Sequence, residues 1–346
     1  MENEQRSNAG APLMPGANLG ETATMRAAVQ HRYGPPSVLE LSKIGVPLPG
    51  RGEVLVQVSA ASVHPGDYFV MTGEPYMVRL VYGIRRPRHR VPGMDLAGVV
   101  AAVGKNVTTL RPGEKVFGWS TAGALAEYAC VPARNLVPVP ANLSFVDAAA
   151  VPTSAMTALQ ALRKIANVRP GQTVLITGAS GGVGSFAVQI ARALGAEVTG
   201  VCSTRNVDLV RSLGADHVID YTRTDFTRTG KLYDVILDNV EAQSLTAVRQ
   251  ALTATGTLIP NSGRGGRWFG PLGRIVKARV LSGFTRQLLL PFMSVGKRQD
   301  LLTLTEMLLT GQVTPVIDRT YPLDEAADAL RYVGAGHTQG KVVMTF

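Results

Sequence analysis

The segment Thr173-Val-Leu-Ile-Thr-Gly178-Ala179-Ser180-Gly181-Gly182-Val183-Gly184 constrains this chain more than any other. A short apolar run ends in a glycine-rich turn, and the small and apolar spacing of residues 182–194 opens a helix directly behind it. Strand, tight loop and helix N-terminus in that order make a dinucleotide site. The helix N-terminus presents free N–H groups and a positive dipole end to a pyrophosphate. On the three-glycine fingerprint, Ala179, Gly181 and Gly184 hold the glycine places, so the first is alanine. Gly181 admits close backbone approach to the pyrophosphate, and Gly184 lets the helix pack on the strand. Ser180, Gly182 and Val183 complete the expected cofactor loop.

The context extends the reading. Apolar strands Thr173–Thr177, Glu197–Cys202, 218–220, 235–237 and 257–259 alternate with helices at 182–194, 207–213 and 242–252. That alternation predicts a parallel, doubly wound sheet. An NAD site carries an acidic residue about 20 residues beyond the loop. This chain has Cys202-Ser203-Thr204-Arg205-Asn206 there, with no carboxylate. Ser203 and Arg205 suit the extra phosphate of NADP(H). Ser203 also suits a cap for the following helix, and the two roles are compatible.

A chain of 346 residues exceeds one ordinary core, so two domains are expected. Hydrophobic residues at 45% and charged residues at 17% place it among globular proteins. From Met25 to about residue 145, short β-type runs between Gly/Pro turns predict a compact β-rich domain, a small barrel or an antiparallel sandwich. Residues 1–24 read as a flexible polar tail. Residues 153–165 read as a helix, as do Arg298–Leu309 and 324–332, and 316–321 and Lys341–Thr345 read as strands. No apolar run is long enough for a membrane span. Two cysteines and an acidic, non-apolar start favour a cytoplasmic protein over a secreted one.

Further motifs carry a family resemblance. They are Ala61-Ser-Val-His-Pro-Gly-Asp67, Pro92-Gly-Met-Asp-Leu-Ala-Gly-Val-Val100, Gly113-Glu-Lys-Val-Phe-Gly118, Ala126-Glu-Tyr128, Pro152-Thr-Ser-Ala-Met-Thr-Ala-Leu159, Leu213-Gly-Ala-Asp216 and Gly340-Lys-Val-Val343. With the glycine loop, they make residues 25–346 resemble the zinc-independent medium-chain dehydrogenase/reductases, quinone oxidoreductase (zeta-crystallin-like) branch. The resemblance implies a GroES-like catalytic domain at 25–145, completed by 312–346, and a Rossmann domain at 146–311. It also implies a homodimer. Zinc relatives place a Cys near the position of His64 and a His-Glu pair where this chain has Met94-Asp95. A thioether and one carboxylate are a poor Zn²⁺ shell, and the four-cysteine structural lobe is missing, so no metal is expected.

Without a Lewis acid, the acceptors that take hydride are quinones and alkenes conjugated to a carbonyl. Negative charge then develops on oxygen, and the protein supplies orientation and donors. By resemblance, His64 stands near the nicotinamide ribose and could donate to the substrate oxygen, or it is a hydrogen-bonded loop histidine. Tyr68, beside Phe69, is the candidate hydroxyl of the next helix turn, and Asp67 suits a helix cap. Thr153 resembles the hydroxyl residue at the nicotinamide face. Asn239, Asn261 and Ser262 follow strands at the edge where cofactors sit. Tyr221 flanks the adenine or phosphate end, and Lys341 resembles the C-terminal lysine that reaches the cofactor. Tyr76, Met94, Trp119, Phe284 and Leu288 suit either a substrate wall or the core.

The formal charge is +10, concentrated in Arg85-Arg-Pro-Arg-His-Arg90 and in Arg264, Arg267, Arg274, Lys277 and Arg279. A solvated surface, a pocket mouth for anions, and peripheral contact with an anionic membrane all fit. No nucleic-acid motif is present. The expectation is therefore an NADPH-dependent, metal-free reductase of quinones or enones. A 2-alkenal or enoyl reductase, and a non-catalytic NADPH-binding protein that docks a partner or membrane, stand as the alternatives.

Overall fold

The computed structural model describes residues 23–262 and 285–346. The polar tail up to residue 22, the basic group Arg264 to Arg279, and Phe284 lie outside the described residues. The N-terminal half is β-rich. Strands β1 (Thr24–Val29) and β2 (Glu40–Gly45) pair antiparallel. Strands β3 (Glu53–Val63), β4 (Asp95–Val103), β5 (Lys115–Trp119), β6 (Tyr128–Pro132) and β7 (Leu136–Pro138) follow.

The central part holds β8 (Thr173–Thr177), β9 (Glu197–Cys202), β10 (His217–Asp220), β11 (Tyr233–Asp238), β12 (Leu252–Pro260) and β13 (Leu288–Leu289). They form a six-stranded sheet, ordered β10-β9-β8-β11-β12-β13, parallel throughout. Its order reverses beside β8, so the loop after β8 opens at the switch point where ligands bind in such sheets. β14 (Ile317–Pro322) and β15 (Lys341–Thr345) then return to the first half. They complete a seven-stranded sheet ordered β14-β15-β3-β4-β5-β7, with β6 also on β3.

β3 explains the shape of that sheet. Its residues 54–57 pair with both β4 and β6, and residues 60–62 pair with both β4 and β15. One edge of β3 therefore carries two different strands in succession. Register shifts at Leu55/Val56 and Val58/Ala60 mark bulges that bend it. The result is the GroES-like arrangement rather than a flat sandwich.

The two sheets share one core. Ala60, Ala97, Phe117 and Val343 from the first sheet cluster with Val174 and Ile176 from the second and with Phe186 and Ile190 of the helix Gly182–Ala193 that covers it. Ala148, Ala149, Ala150, Ala155 and Ala158, all fully buried, fill the seam. Such small side chains let the helices Phe145–Ala149 and Pro152–Leu159 lie close to both sheets.

Several elements differ from the sequence pattern. The helix expected over 153–165 runs as α-helix only to Leu159 and continues as a π-helical turn, Gln160–Ile165. There the Gln160 amide donates to Val295 O and Asp300 Oδ2, tying the turn to a distant loop. The helix expected from 242 starts at Leu245, where Ser244 Oγ accepts from Ala247 N. β2 and the helix Val78–Tyr82 carry no clear periodicity. Among the described residues, no helix is long and apolar enough to cross a membrane.

Gly340 joins the halves. Its N–H donates to Ser180 O at 2.7 Å, its φ is +78°, and a Cβ there would stand 2.2 Å from Val316 O. Gly340→Ala is expected to cost about 1–3 kcal/mol through backbone strain and displacement. A lower denaturant midpoint checks this; an unshifted midpoint contradicts it.

Candidate active site

The helix Gly182–Ala193 begins behind N-cap Gly181 with no side-chain cap, which leaves first-turn N–H groups for a ligand. A Cβ on Gly184 would stand 2.0 Å from Gly178 O, so only glycine brings helix and loop this close. Ala179 is fully buried and its N–H donates to Val201 O on β9. Val183 packs against the shared core. Ser180 Oγ accepts from Asn206 Nδ2 at 2.8 Å. A Cβ on Gly182 would meet Lys341 Cδ at 3.3 Å and Ser154 Oγ at 3.4 Å, which puts the loop directly against the C-terminal lysine.

Beyond β9 and β10 lies a cavity of about 480 Å³, lined by Ser203, Thr204, Arg205, Tyr221, Thr222 and His337. Arg205 Nη2 donates to His337 O at 2.9 Å. Ser203 stands at the N-cap position of the turn Thr204–Asn206 yet makes no capping bond; its Oγ accepts from Asn206 Nδ2. Tyr221 is 58% exposed at the cavity wall. No carboxylate lines this space. The neighbouring Asp220 is occupied, accepting from Thr204 Oγ1 at 2.6 Å and from the N–H and Oγ1 of Thr222. The Thr204 hydroxyl, first among these donors, holds Asp220 below the usual carboxylate range. The cavity thus offers an anion the Arg205 guanidinium and hydroxyls at its lining, with the Asp220 carboxylate turned to Thr204 and Thr222.

At the C-terminal ends of β8, β11 and β12, Asn239 Nδ2 donates to Thr177 O, and Asn261 Nδ2 donates to Asn239 Oδ1 at 2.7 Å. Ser262 N donates to Glu241 Oε1. These residues line one sheet edge through fixed bonds.

The seam itself holds a buried polar cluster. Asp95 is fully buried and accepts from Thr153 Oγ1 at 2.6 Å, from Thr153 N, and from Ser62 Oγ. Lys341, 2% exposed, lies 3.8 Å from Asp95 Oδ2 and donates to Ser154 Oγ at 3.1 Å. Burial pushes the Lys341 ammonium down, while Asp95 and Asp67 oppose the fall. Burial pushes Asp95 up against the pull of Lys341 and Thr153. Asp67 is raised by burial and by the charge of Asp95.

His64 caps the helix Pro65–Thr72. Its Nδ1 accepts from Gly66 N at 3.0 Å, and Asp67 Oδ2 accepts from His64 N at 2.9 Å. An accepting Nδ1 puts the ring proton on Nε2. Nε2 lies 3.4 Å from Asp67 Oδ2, but makes no hydrogen bond to it or to any other described group, although the ring is buried. Burial, helped by Lys341, pushes the His64 pKa down to about 3. The imidazole is thus a neutral, unpartnered N–H donor.

Thr153, His64 and Lys341 are brought together; Tyr68 is not. Its ring lies edge-on to Phe69 and packs against Gly334 and the core of the β-rich half. Tyr76 stacks on Arg79, the Trp119 indole lies against Gly296, and Leu288 is on the edge strand. Asp95, Ser62, Ser154, Asn206, Thr222 and His337 were not singled out from sequence as site groups. Their partners are remote in the chain, and only the hydroxyls beside Thr153 and Ser203 gave a local signal. Burial pushes the thiols of Cys202 and Cys130 up to about 11 and about 12, so neither is a thiolate nucleophile near neutrality.

Comparison with known proteins follows this geometry. The alcohol dehydrogenase GroES-like domain model matches residues 50–141, and the model described as zinc-binding dehydrogenase matches residues 213–344. A chloroplastic quinone-oxidoreductase homolog of Spinacia oleracea is 31% identical, over 90% of this chain and 95% of its own length. The chain is a medium-chain dehydrogenase/reductase of the quinone oxidoreductase branch. Within this superfamily it is also 34% identical to a trans-enoyl reductase of Aspergillus terreus, over 85% of this chain and 86% of that one. The quinone oxidoreductase structure from Coxiella burnetii superposes with a TM-score of 0.82 at 28% identity, covering 94% of this chain and all of that one. The medium-chain dehydrogenase/reductase fold thus places the glycine loop, the seam and the C-terminal lysine in one site.

The titration of His64 predicts a pH dependence of stability. Unfolded, the ring titrates near its ordinary 6.5; folded, near about 3. Between these values the unfolded chain binds the extra proton at this ring, so the His64 contribution to stability falls as pH drops below about 6.5, while Asp67, raised by burial, contributes in the opposite sense. By about pH 5 the loss reaches about 2 kcal/mol. His64→Asn keeps a capping side chain and removes the titration. Its melting temperature is expected to fall less than that of the native chain between neutral pH and pH 5. Equal falls would contradict this assignment.

Proposed function

We propose that this protein is an NADPH-dependent oxidoreductase that passes hydride to quinones or related conjugated carbonyls without a metal. The observation that carries the reading is the neutral, unpartnered Nε2–H of His64, buried in the electrostatic field of Lys341, whose side chain lies against Gly182 of the glycine loop. It is the donor that an oxygen gaining negative charge requires.

The chain's own parts divide the work. Residues 146–311 hold the cofactor, and residues 25–145 with 312–346 hold the acceptor. The Gly181–Gly184 turn and its helix N-terminus bind the pyrophosphate. Arg205, with Ser203, Thr204, Thr222 and Tyr221, takes the adenosine end and its extra phosphate. Asn239, Asn261 and Ser262 border the cofactor along the sheet edge. Asp95 fixes Thr153 and Lys341, which face the nicotinamide end through Ser154 and Gly182. Bound NADPH supplies the hydride. His64 Nε2 then donates a hydrogen bond to the acceptor oxygen. With its pKa pushed down to about 3 the ring carries no extra proton to give, and a neutral imidazole does not release its N–H proton near neutral pH, so the product's proton comes from water. Among the described residues, no three His, Cys, Asp or Glu side chains gather as metal ligands.

The trans-enoyl reductase relative favours a second acceptor, an alkene conjugated to a carbonyl. Both acceptors develop charge on oxygen and need the same donor. NADPH oxidation by chelator-treated protein, with an ortho-quinone and a 2-alkenal offered in parallel, separates them. Turnover with neither acceptor, despite tight NADPH binding, or turnover abolished by the chelator, would overturn the proposal.

Arg205→Ala is expected to raise the KM for NADPH about tenfold and leave that for NADH nearly unchanged, since a lost charge-assisted contact is worth about 1.5–3 kcal/mol. Equal effects on both cofactors would remove Arg205 from phosphate recognition. His64→Ala is expected to lower kcat about tenfold or more without weakening NADPH binding; stopped-flow hydride transfer beside a binding titration checks this.

A further inference from the structure

The segment 78–90 takes no part in the site described above, and its surface is unusual. Leu80, Val81 and Ile84 are 68%, 66% and 72% exposed. Arg85, Arg86, Arg88 and Arg90 follow at once and, with His31, Ile84 and Pro87, line a cavity of about 510 Å³. No acidic residue lines it, and none of the four arginines is ion-paired with a described residue. We propose that this segment is a docking surface for a bilayer bearing anionic phospholipid.

The segment is held in shape. The Arg79 guanidinium sits between the Tyr33 and Tyr76 rings, 4.7 and 4.6 Å from their centroids, and its Nε donates to Gly73 O. Tyr33 OH donates to Gly83 O, and Arg88 N donates to Tyr82 O. Gln30 N donates to Arg90 O, and Pro87 is buried between exposed neighbours. Gly83, with φ of +121°, makes the turn; a Cβ there would stand 2.2 Å from Arg86 O. The exposed leucine, valine, isoleucine and arginines are therefore projected from a braced frame, and little chain entropy is lost when they engage a surface.

Their combination selects the partner. Arginine side chains pair with lipid phosphates, and each basic side chain near an anionic surface contributes about 1 kcal/mol. The neighbouring apolar side chains enter the boundary between headgroups and acyl chains, the arrangement of interfacial segments. A free phosphate would use the arginines and leave the three apolar side chains in water. A nucleic acid would need open aromatic faces, and those of Tyr33 and Tyr76 are covered by Arg79. The formal charge of +10 adds long-range attraction.

The test is co-sedimentation of the full chain with vesicles at physiological salt, using phosphatidylcholine alone or mixed with phosphatidylserine. Binding to the mixed vesicles only is expected. Arg85→Glu with Arg86→Glu should reduce the partition about tenfold or more. Arg211→Glu with Arg228→Glu, the same charge change on other exposed side chains, should leave it within about twofold. Leu80→Ser with Ile84→Ser should weaken binding while charge is unchanged. Unaltered melting temperatures show that each variant folds. Four results would each overturn the proposal: equal binding to both vesicle types; no loss in Arg85→Glu with Arg86→Glu; no loss in Leu80→Ser with Ile84→Ser; and full competition by soluble glycerophosphoserine at matched phosphate. The last assigns the arginines to a free anion.

Discussion

The pairing of the buried Lys341 with Asp95 is the interaction on which the rest of the site depends. An isolated buried charge is costly, and the cost is offset only when partners satisfy it. Asp95 and Ser154 do so, and Asp95 in turn holds the hydroxyl and N–H of Thr153. Three separate elements, β4, the helix Pro152–Leu159 and β15, are thereby fixed at one point. Asp67 joins the same electrostatic field from the helix that His64 caps. Two carboxylates near one ammonium favour a retained proton, and this keeps an extended polar cluster compatible with an apolar, alanine-rich seam.

The cofactor end depends on the same return of the chain. His337 lies close behind the last helix, yet it completes the cavity after β9 and accepts from Arg205. Gln339 reaches Asn206, whose amide holds Ser180 and Ser203. Recognition of the adenosine end and closure of the seam are thus parts of one hydrogen-bonded chain. The π-helical turn at Gln160 plays a comparable part on the far side, where its side chain fixes residues 294–295 by three hydrogen bonds and Asp300 by a fourth.

Local physics accounts for what the sequence revealed. Thr173–Thr177, Glu197–Cys202, Arg298–Leu309 and Lys341–Thr345 are legible because one short window carries each pattern. The glycine loop is legible for the same reason. The cluster was not, because Lys341 and Ser154 are 187 residues apart and Asp95 and Thr153 are 58 apart. No spacing rule reports such pairs. His64 was legible as a position, but its proton position and lack of an acceptor follow from Gly66 and Asp67 in three dimensions. Tyr68 shows the reverse. The family resemblance pointed to its helix turn, beside Phe69, but the ring packs against Gly334. The strand β2 has mixed exposure and no clean alternation, so tertiary pairing with β1 decides it.

The position of β15 has a consequence for synthesis. Residues 60–62 of β3 have β4 on one side and β15 on the other. β4 is made soon after β3, but β15 is made only after the whole parallel sheet. Until then those residues present a bare strand edge of alanine and serine, flanked by apolar core. Unpaired edges of this kind are templates for wrong pairing between chains. The nascent protein is thus exposed to self-association through this edge until β15 has been made. A folding helper that shields β3 would raise the yield of folded protein.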